Sequence, residues 1–194
     1  TALLTDHGAR VDDATGRVTL PEAIVTDAVE KTPSGFALYD VLGNQTHDLS
    51  GDNVHFTPGS AAINILDNGT MRKPNTADYV NYTKMVAGLD HIQAQSTAFI
   101  PADVTEEISD SYRLFLSLLY CEKPVITGAF TIEAFDIMRD LQLSVRGSAE
   151  ELRSKPLTVF SCCPTAPIRL FWHTLPFIPT AIEPMCSSTM EPST

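Results

Sequence analysis

Positive charge is scarce in this chain: 13 Lys and Arg stand against 24 Asp and Glu, a formal net charge of −11. That balance argues against a nucleic-acid partner, because phosphate backbones are met by clustered Lys and Arg. No apolar run approaches the roughly 18 residues of a membrane span, and the N-terminus lacks the charged-then-apolar layout of a secretory signal. The four cysteines, Cys121, Cys162, Cys163 and Cys186, show no metal spacing such as Cys-x-x-Cys. Cys162 and Cys163 are adjacent on a predicted strand, so they point to opposite faces and cannot share one ion. Gly-x-x-x-x-Gly-Lys, His-Glu-x-x-His and Gly-x-Ser-x-Gly are all missing. His55, His91 and His173 stand near apolar residues and His7 and His47 in polar loops, so each is read as structural or exposed. The expectation is an acidic, reduced, cytoplasmic protein with no nucleic acid, no membrane, and no metal or tightly bound cofactor of its own.

What the sequence does have is a rhythm. Ile92–Phe99, Val125–Phe130 and Thr158–Cys163 are short apolar runs whose first residues lie 33 positions apart. The stretches between them follow a helical period. A strand, a helix and a parallel return strand need about 30 residues or more, so the repeat predicts consecutive βαβ units. The ligand side of such a sheet is at the strand C-terminal ends. Those ends carry Gln95, Ser96 and Thr97 on the first run, Thr127 and Gly128 on the second, and Ser161, Cys162 and Thr165 on the third. Of these, Gln95, Thr127, Gly128, Ser161 and Cys162 are the candidate substrate-binding residues; no catalytic residue is assigned. Thr and Ser on strands also serve packing, which is the plainer reading of each.

Other elements follow from local signals. Residues 1–8 predict the end of a helix closed by Gly8, and Arg10–Val18 a hairpin turning at Asp13–Gly16. Leu20-Pro21-Glu22 opens a helix whose apolar face is Ile24, Val25, Ala28 and Val29. Gly43-Asn44 marks a second hairpin and Asn68-Gly69 a tight turn. A helix capped by Asn75 or Thr76 buries Tyr79, Thr83, Val86 and Leu89. Asp103 and Glu106 suggest a capping box for the next, with Ile108, Tyr112, Phe115 and Leu119 on its core side. A third stacks Phe135, Met138, Leu141 and Val145, ends at Gly147, and is followed by a short helix opened by Ser148-x-x-Glu151.

At 194 residues and 43% apolar the chain is long enough for one globular core, yet short of the about 250 residues of a complete eight-stranded α/β barrel. Residues 164–194 hold six of the 13 prolines, the only Trp and three charged residues. Proline at that density opposes helix and interior strand alike, while Phe171 and Trp172 are unusual in a solvated tail. The chain opens on Thr1 and is read as a piece of something longer. The domain expectation is a prelude over 1–50, barrel over 51–165, and an aberrant Pro-rich tail over 166–194.

A family resemblance is carried by Gly59-Ser60-Ala61, Asp67-Asn-Gly-Thr-Met-Arg72 and Asn75-Thr76-Ala-Asp78-Tyr79, then by Gly88-Leu89-Asp90-His91-Ile92, Lys123-Pro124-Val125 and Glu150-Glu-Leu-Arg-Ser-Lys-Pro156. In order and spacing these resemble the entry to the barrel of the trimethylamine methyltransferase family, over roughly residues 5–165. The resemblance implies a partial (β/α)8 TIM barrel, truncated after three to four βα units. The reaction implied is transfer of a methyl group from a tertiary or quaternary methylamine, such as trimethylamine or glycine betaine, to cobalamin on a separate corrinoid protein. It also implies a homo-oligomeric full-length parent and an inactive fragment. The alternative is a small non-enzymatic α/β module that binds a ligand or a protein.

Overall fold

In the computed structural model, residues 2–60, 62–129 and 132–161 are described. They fall into two compact units, one up to Phe36 and one from Ala37 onward. In the first, helix α1 (Ala2–Asp6) ends at Gly8, whose φ of 90° is the left-handed conformation that closes a helix at lowest steric cost. Strands β1 (Arg10–Asp12) and β2 (Arg17–Thr19) pair antiparallel with Val11 opposite Val18. Asp12 shapes the turn by accepting from the Ala14 amide at 3.0 Å and the Thr15 hydroxyl at 2.7 Å. Helix α2 (Glu22–Lys31) starts after Pro21, as predicted, but its apolar face is not sealed. Ile24 is half-buried and Val25 and Val29 are exposed. A short ribbon and one helix make no second layer within the unit to cover that face.

The second unit opens with β3 (Ala37–Tyr39) and β4 (Gln45–Asp48), an antiparallel hairpin. Asp40 closes it, its carboxylate accepting from the Asn44 amide and side chain at 2.8 and 3.0 Å. Sequence patterning groups this hairpin with residues 1–36. The backbone ties it elsewhere: the Tyr39 amide donates to Pro156 O at 2.9 Å and the Val41 amide to Glu122 O at 2.8 Å. The boundary between compact units falls at Phe36/Ala37.

Strands β5 (Ile65–Asp67) and β6 (Thr70–Arg72) turn at Asn68 and Gly69, both at positive φ (48° and 82°), the geometry a two-residue hairpin loop demands. Helix α3 (Thr76–Ala87) carries a reciprocal capping box between Asn75 and Asp78 and buries Tyr79, Thr83 and Val86. Leu89, just beyond it, is exposed. Asp103 caps a different helix from the one expected. Both its carboxylate oxygens accept from the Thr76 amide, at 2.9 and 3.1 Å, so it serves the start of α3. Helix α4 (Glu106–Tyr120) instead has Thr105 at its N-cap.

The 33-residue rhythm is a parallel sheet. Strands β7 (Gln95–Ser96), β8 (Val125–Thr127) and β9 (Thr158–Phe160) lie in the order β7-β8-β9, all parallel. Helix α4 joins the first pair; α5 (Ile132–Arg146) and α6 (Ala149–Ser154) join the second. On the free side of β7, Ala62 bridges Phe99 in parallel: its amide donates to Ala98 O at 2.6 Å and its carbonyl accepts from Ile100 at 3.0 Å. Four parallel segments thus run in chain order.

The centre of the core is Leu114, Val125 and Met138, with Leu118, Ala129 and Phe160 packed around it. Phe135 meets Phe160 edge-on, centroids 4.9 Å apart. Full burial of such a side chain contributes about 1.5–3 kcal/mol. Helix α5 buries Phe135 and Met138 as expected and half-buries Leu141. Helix α4 does not present the expected face. Ile108, Phe115 and Leu119 are 49%, 42% and 56% exposed, whereas Asp110, Arg113, Leu114 and Ser117 are buried. The buried face carries Leu114 and Leu116 together with the Arg113–Asp110 ion pair and Ser117, which meets the Tyr79 hydroxyl at 2.9 Å.

Candidate active-site face

Strand register sorts the candidate residues by face. Gln95 lies beside Val125, which lies beside Thr158; one step further, Ser96 lies beside Ile126 and Val159. Side chains alternate along a strand. The Val125 row packs on α4 and α5 through Leu114 and Met138, so Gln95 and Thr127 belong to the helix-covered side. Ile126 and Val159, on the other side, are half-buried.

Gln95 is fully buried and spans strand and helix. Its Nε2 donates to Thr83 O at 3.3 Å, and its Oε1 accepts from the Ser96 amide at 2.9 Å. Thr127 shares a 2.9 Å hydroxyl–hydroxyl hydrogen bond with Thr97, joining β8 to the end of β7. Ser96 donates to Gly59 O at 2.7 Å and lies 3.3 Å from the Tyr82 hydroxyl. Gly128 and Ser161 come together just past the ends of β8 and β9. The Ser161 amide donates to Thr127 O at 2.7 Å, and a Cβ on Gly128 would stand only 3.3 Å from the Ser161 carbonyl oxygen. Ser161 is exposed. Cys162 and Thr165 lie outside the described residues.

Two groups near these strand ends escaped the sequence reading. The first is the Arg113–Asp110 pair. Arg113 Nη1 donates to Thr97 O at 3.0 Å and Nε to Ser109 O at 3.3 Å, so one guanidinium ties α4 to the end of β7. The signal was an Asp-x-x-Arg spacing in line with Ser117, which the more apolar stripe beside it outweighed. The second is an aromatic trio. Tyr82 and Phe99 lie 4.9 Å apart, and Tyr79 sits 6.3 and 6.5 Å from them. Burial pushes both phenols above their ordinary range, so they stay protonated at neutral pH. Cys121 is buried, and burial likewise raises its thiol, which disfavours the thiolate a nucleophile needs. The chemistry present here among the described residues is hydrogen bonding, one buried ion pair, neutral hydroxyls and ring faces.

The family model for trimethylamine methyltransferase (MTTB) matches residues 1–183. The chain belongs to the trimethylamine methyltransferase family. The match runs past residue 165, where the resemblance read from motifs stops, into the Pro-rich stretch. Trimethylamine methyltransferase MttB of Desulfitobacterium hafniense is 26% identical over 173 residues, 88% of this chain and 35% of that protein. Glycine betaine methyltransferase of Desulfitobacterium hafniense is 23% identical over 145 residues, 74% of this chain and 30% of its own length. The L-carnitine:corrinoid methyltransferase of Eubacterium limosum is 27% identical over 131 residues, 66% and 26%. This member of the trimethylamine methyltransferase family thus spans about a third of the length of the curated relatives it matches. No helix among its described residues is long and apolar enough to cross a membrane.

Proposed function

We propose that this chain is the opening part of a (β/α)8 barrel that takes a methyl group from a tertiary or quaternary methylamine and delivers it to cobalamin on a separate corrinoid protein. The observation that carries the reading is the family match over residues 1–183, together with three relatives whose names all specify methylated amines. The sequential parallel order of Ala62, β7, β8 and β9 supports the barrel, since that is how such a barrel begins.

The corrinoid supplies the methyl acceptor, so this chain's residues hold and orient the amine. A methylated ammonium group is held by ring faces through cation–π attraction and by weakly polar walls. Tyr82 and Phe99, half-buried beside the end of β7, offer such faces, and Ser161 with the close-packed Gly128 backbone offers polar groups at neighbouring strand ends. Arg113 acts from behind, fixing the Thr97 carbonyl and so the direction in which the chain leaves β7.

The test is formation of methylcobalamin, followed by its absorbance, from trimethylamine, glycine betaine or L-carnitine in the presence of a reduced corrinoid protein. The 194 residues alone are expected to give none, and the same residues extended by the remainder of a barrel to give turnover with one donor. An extended protein that demethylates none of the three overturns the reading. Turnover by the 194 residues alone overturns the claim that they are only a part.

A further inference from the structure

Two imidazoles meet where the chain doubles back after β4. His47, paired with Leu38 in the hairpin, is 2% exposed. Its ring centroid lies 4.4 Å from that of His55, with the planes 38° apart. His47 Nδ1 is 2.9 Å from the Thr46 hydroxyl, while Nε2 is sealed from solvent and has no hydrogen-bond partner among the described residues. His55 Nε2 lies 3.1 Å from the Asp48 carbonyl oxygen, which only accepts, so that nitrogen carries the hydrogen. Gln45, Asp48 and Asn53 help complete a cleft of about 350 Å³ around the pair.

A buried ring with an unpartnered nitrogen is tolerable when neutral and costly when charged. Two rings in contact cannot both carry protons without repulsion. We propose that His47 and His55 form an acid-released latch: their ring contact and the His55–Asp48 hydrogen bond hold residues 49–55 folded against β4, and a proton on the buried His47 ring, whose Nε2 has no partner there, lets the segment go. The titratable groups of the cleft are His47, His55 and Asp48; β3 presents the apolar Leu38 opposite His47. The Asp48 carboxylate is engaged by the Ser50 hydroxyl at 2.6 Å. Burial, and then the nearby His55, lower the pKa of His47 below its ordinary value. The latched form therefore binds fewer protons than the open one. The latch is secure above the ordinary histidine pKa of about 6.5 and loosens as pH falls below it.

The latch bears on the sheet through the residues that follow. The Phe56 amide donates to Gln93 Oε1 at 2.7 Å, its carbonyl accepts from the Gln93 and Ala94 amides, and Gly59 O accepts from Ser96. Residues 53–60 therefore run from the histidine contact to the side of β7 on which Ala62 bridges Phe99.

Hydrogen exchange of the 194-residue chain at pH 7.5 and 5.5, corrected for intrinsic rates, tests the latch. Amides of residues 48–56 should lose protection several-fold at the lower pH while those of β8 keep theirs. In His47→Phe, which keeps a ring against His55 and leaves the His55–Asp48 hydrogen bond but cannot take up a proton, that loss should largely disappear. Imidazole nitrogen NMR of the unaltered chain gives a second readout, in which His47 should titrate below an ordinary histidine. Equal protection at both pH values, loss spread equally to β8, an undiminished acid effect in His47→Phe, or His47 titrating at or above an ordinary histidine would each overturn the latch.

Discussion

Helices α4 and α5 are each 15 residues long and flank the same central strand, and each gives the core a large apolar residue, Leu114 and Met138, but they differ in what they bury beside it. Helix α5 turns Phe135 and Met138 inward and leaves Ile137 exposed. Helix α4 leaves Ile108, Phe115 and Leu119 exposed and buries Asp110, Arg113 and Ser117 alongside Leu114 and Leu116. Periodicity finds a helix, but the choice of face is an energy comparison between stripes. A buried charge pair is worth keeping inward only when both ions and their remaining hydrogen bonds are satisfied. Arg113 meets that condition through Asp110, Thr97 O and Ser109 O.

The comparison breaks most violently if the pair is split. Asp110→Ala leaves a buried guanidinium without its carboxylate and should cost about 3–5 kcal/mol, measured by urea denaturation. On the other helix, Met138→Ala should cost about 2–5 kcal/mol by opening a cavity between Val125 and Leu114. A cost below about 1 kcal/mol for either variant would mean that its helix does not bury the face described.

Lys123 sharpens the point that polar groups hold this fold together. Its ammonium donates to the carbonyls of Val86, Leu89 and Ile92, each at 2.7 Å, closing the end of α3 and the loop into β7. Lys123→Met removes hydrogen bonds to a charged group and should cost about 1.5–3 kcal/mol in the same assay. The opposite end of α3 gives an acid-range test. Hydrogen bonds from Arg72 hold the Asp78 carboxyl down at about 2, below its ordinary 3.8. The folded state thus binds fewer protons there, so the contribution is intact above about pH 4 and lost as pH falls toward 2. Arg72→Met should flatten the acid limb of a stability–pH curve over that window. The smallest effect belongs to Phe115→Ala, expected within about 0.5 kcal/mol because the ring is not core; a cost of several kcal/mol would restore the apolar stripe as the buried one.

The parallel sheet was legible because three β-rich runs at constant spacing leave few topologies open, and the turns were legible because Gly8, Gly69 and Gly147 occupy positive φ. The caps at Asn75 and Ser148 were local and therefore readable. What escaped was non-local. Nothing near Asp103 announces that it serves Thr76, 27 residues earlier. Likewise, nothing near residue 37 reveals that the hairpin there bonds to Glu122 and Pro156. The candidate site was legible in outline only. Strand ends could be named, but which side of the sheet Gln95 and Thr127 share depended on knowing which row the helices cover.

Arg146 gathers the carbonyls of Tyr39, Asp40 and Val41 at 3.4, 2.8 and 3.1 Å, together with that of Lys155 at 2.8 Å. Its residue lies 105 to 107 positions after the three it clasps. On a ribosome adding about 5–20 residues per second, the hairpin would wait about 5–20 seconds for its clasp to be made. Until then three carbonyls on a short ribbon stay open to any donor that passes. The hairpin's last anchorage is therefore set by when residue 146 leaves the ribosome, and water holds those carbonyls until one later side chain replaces it.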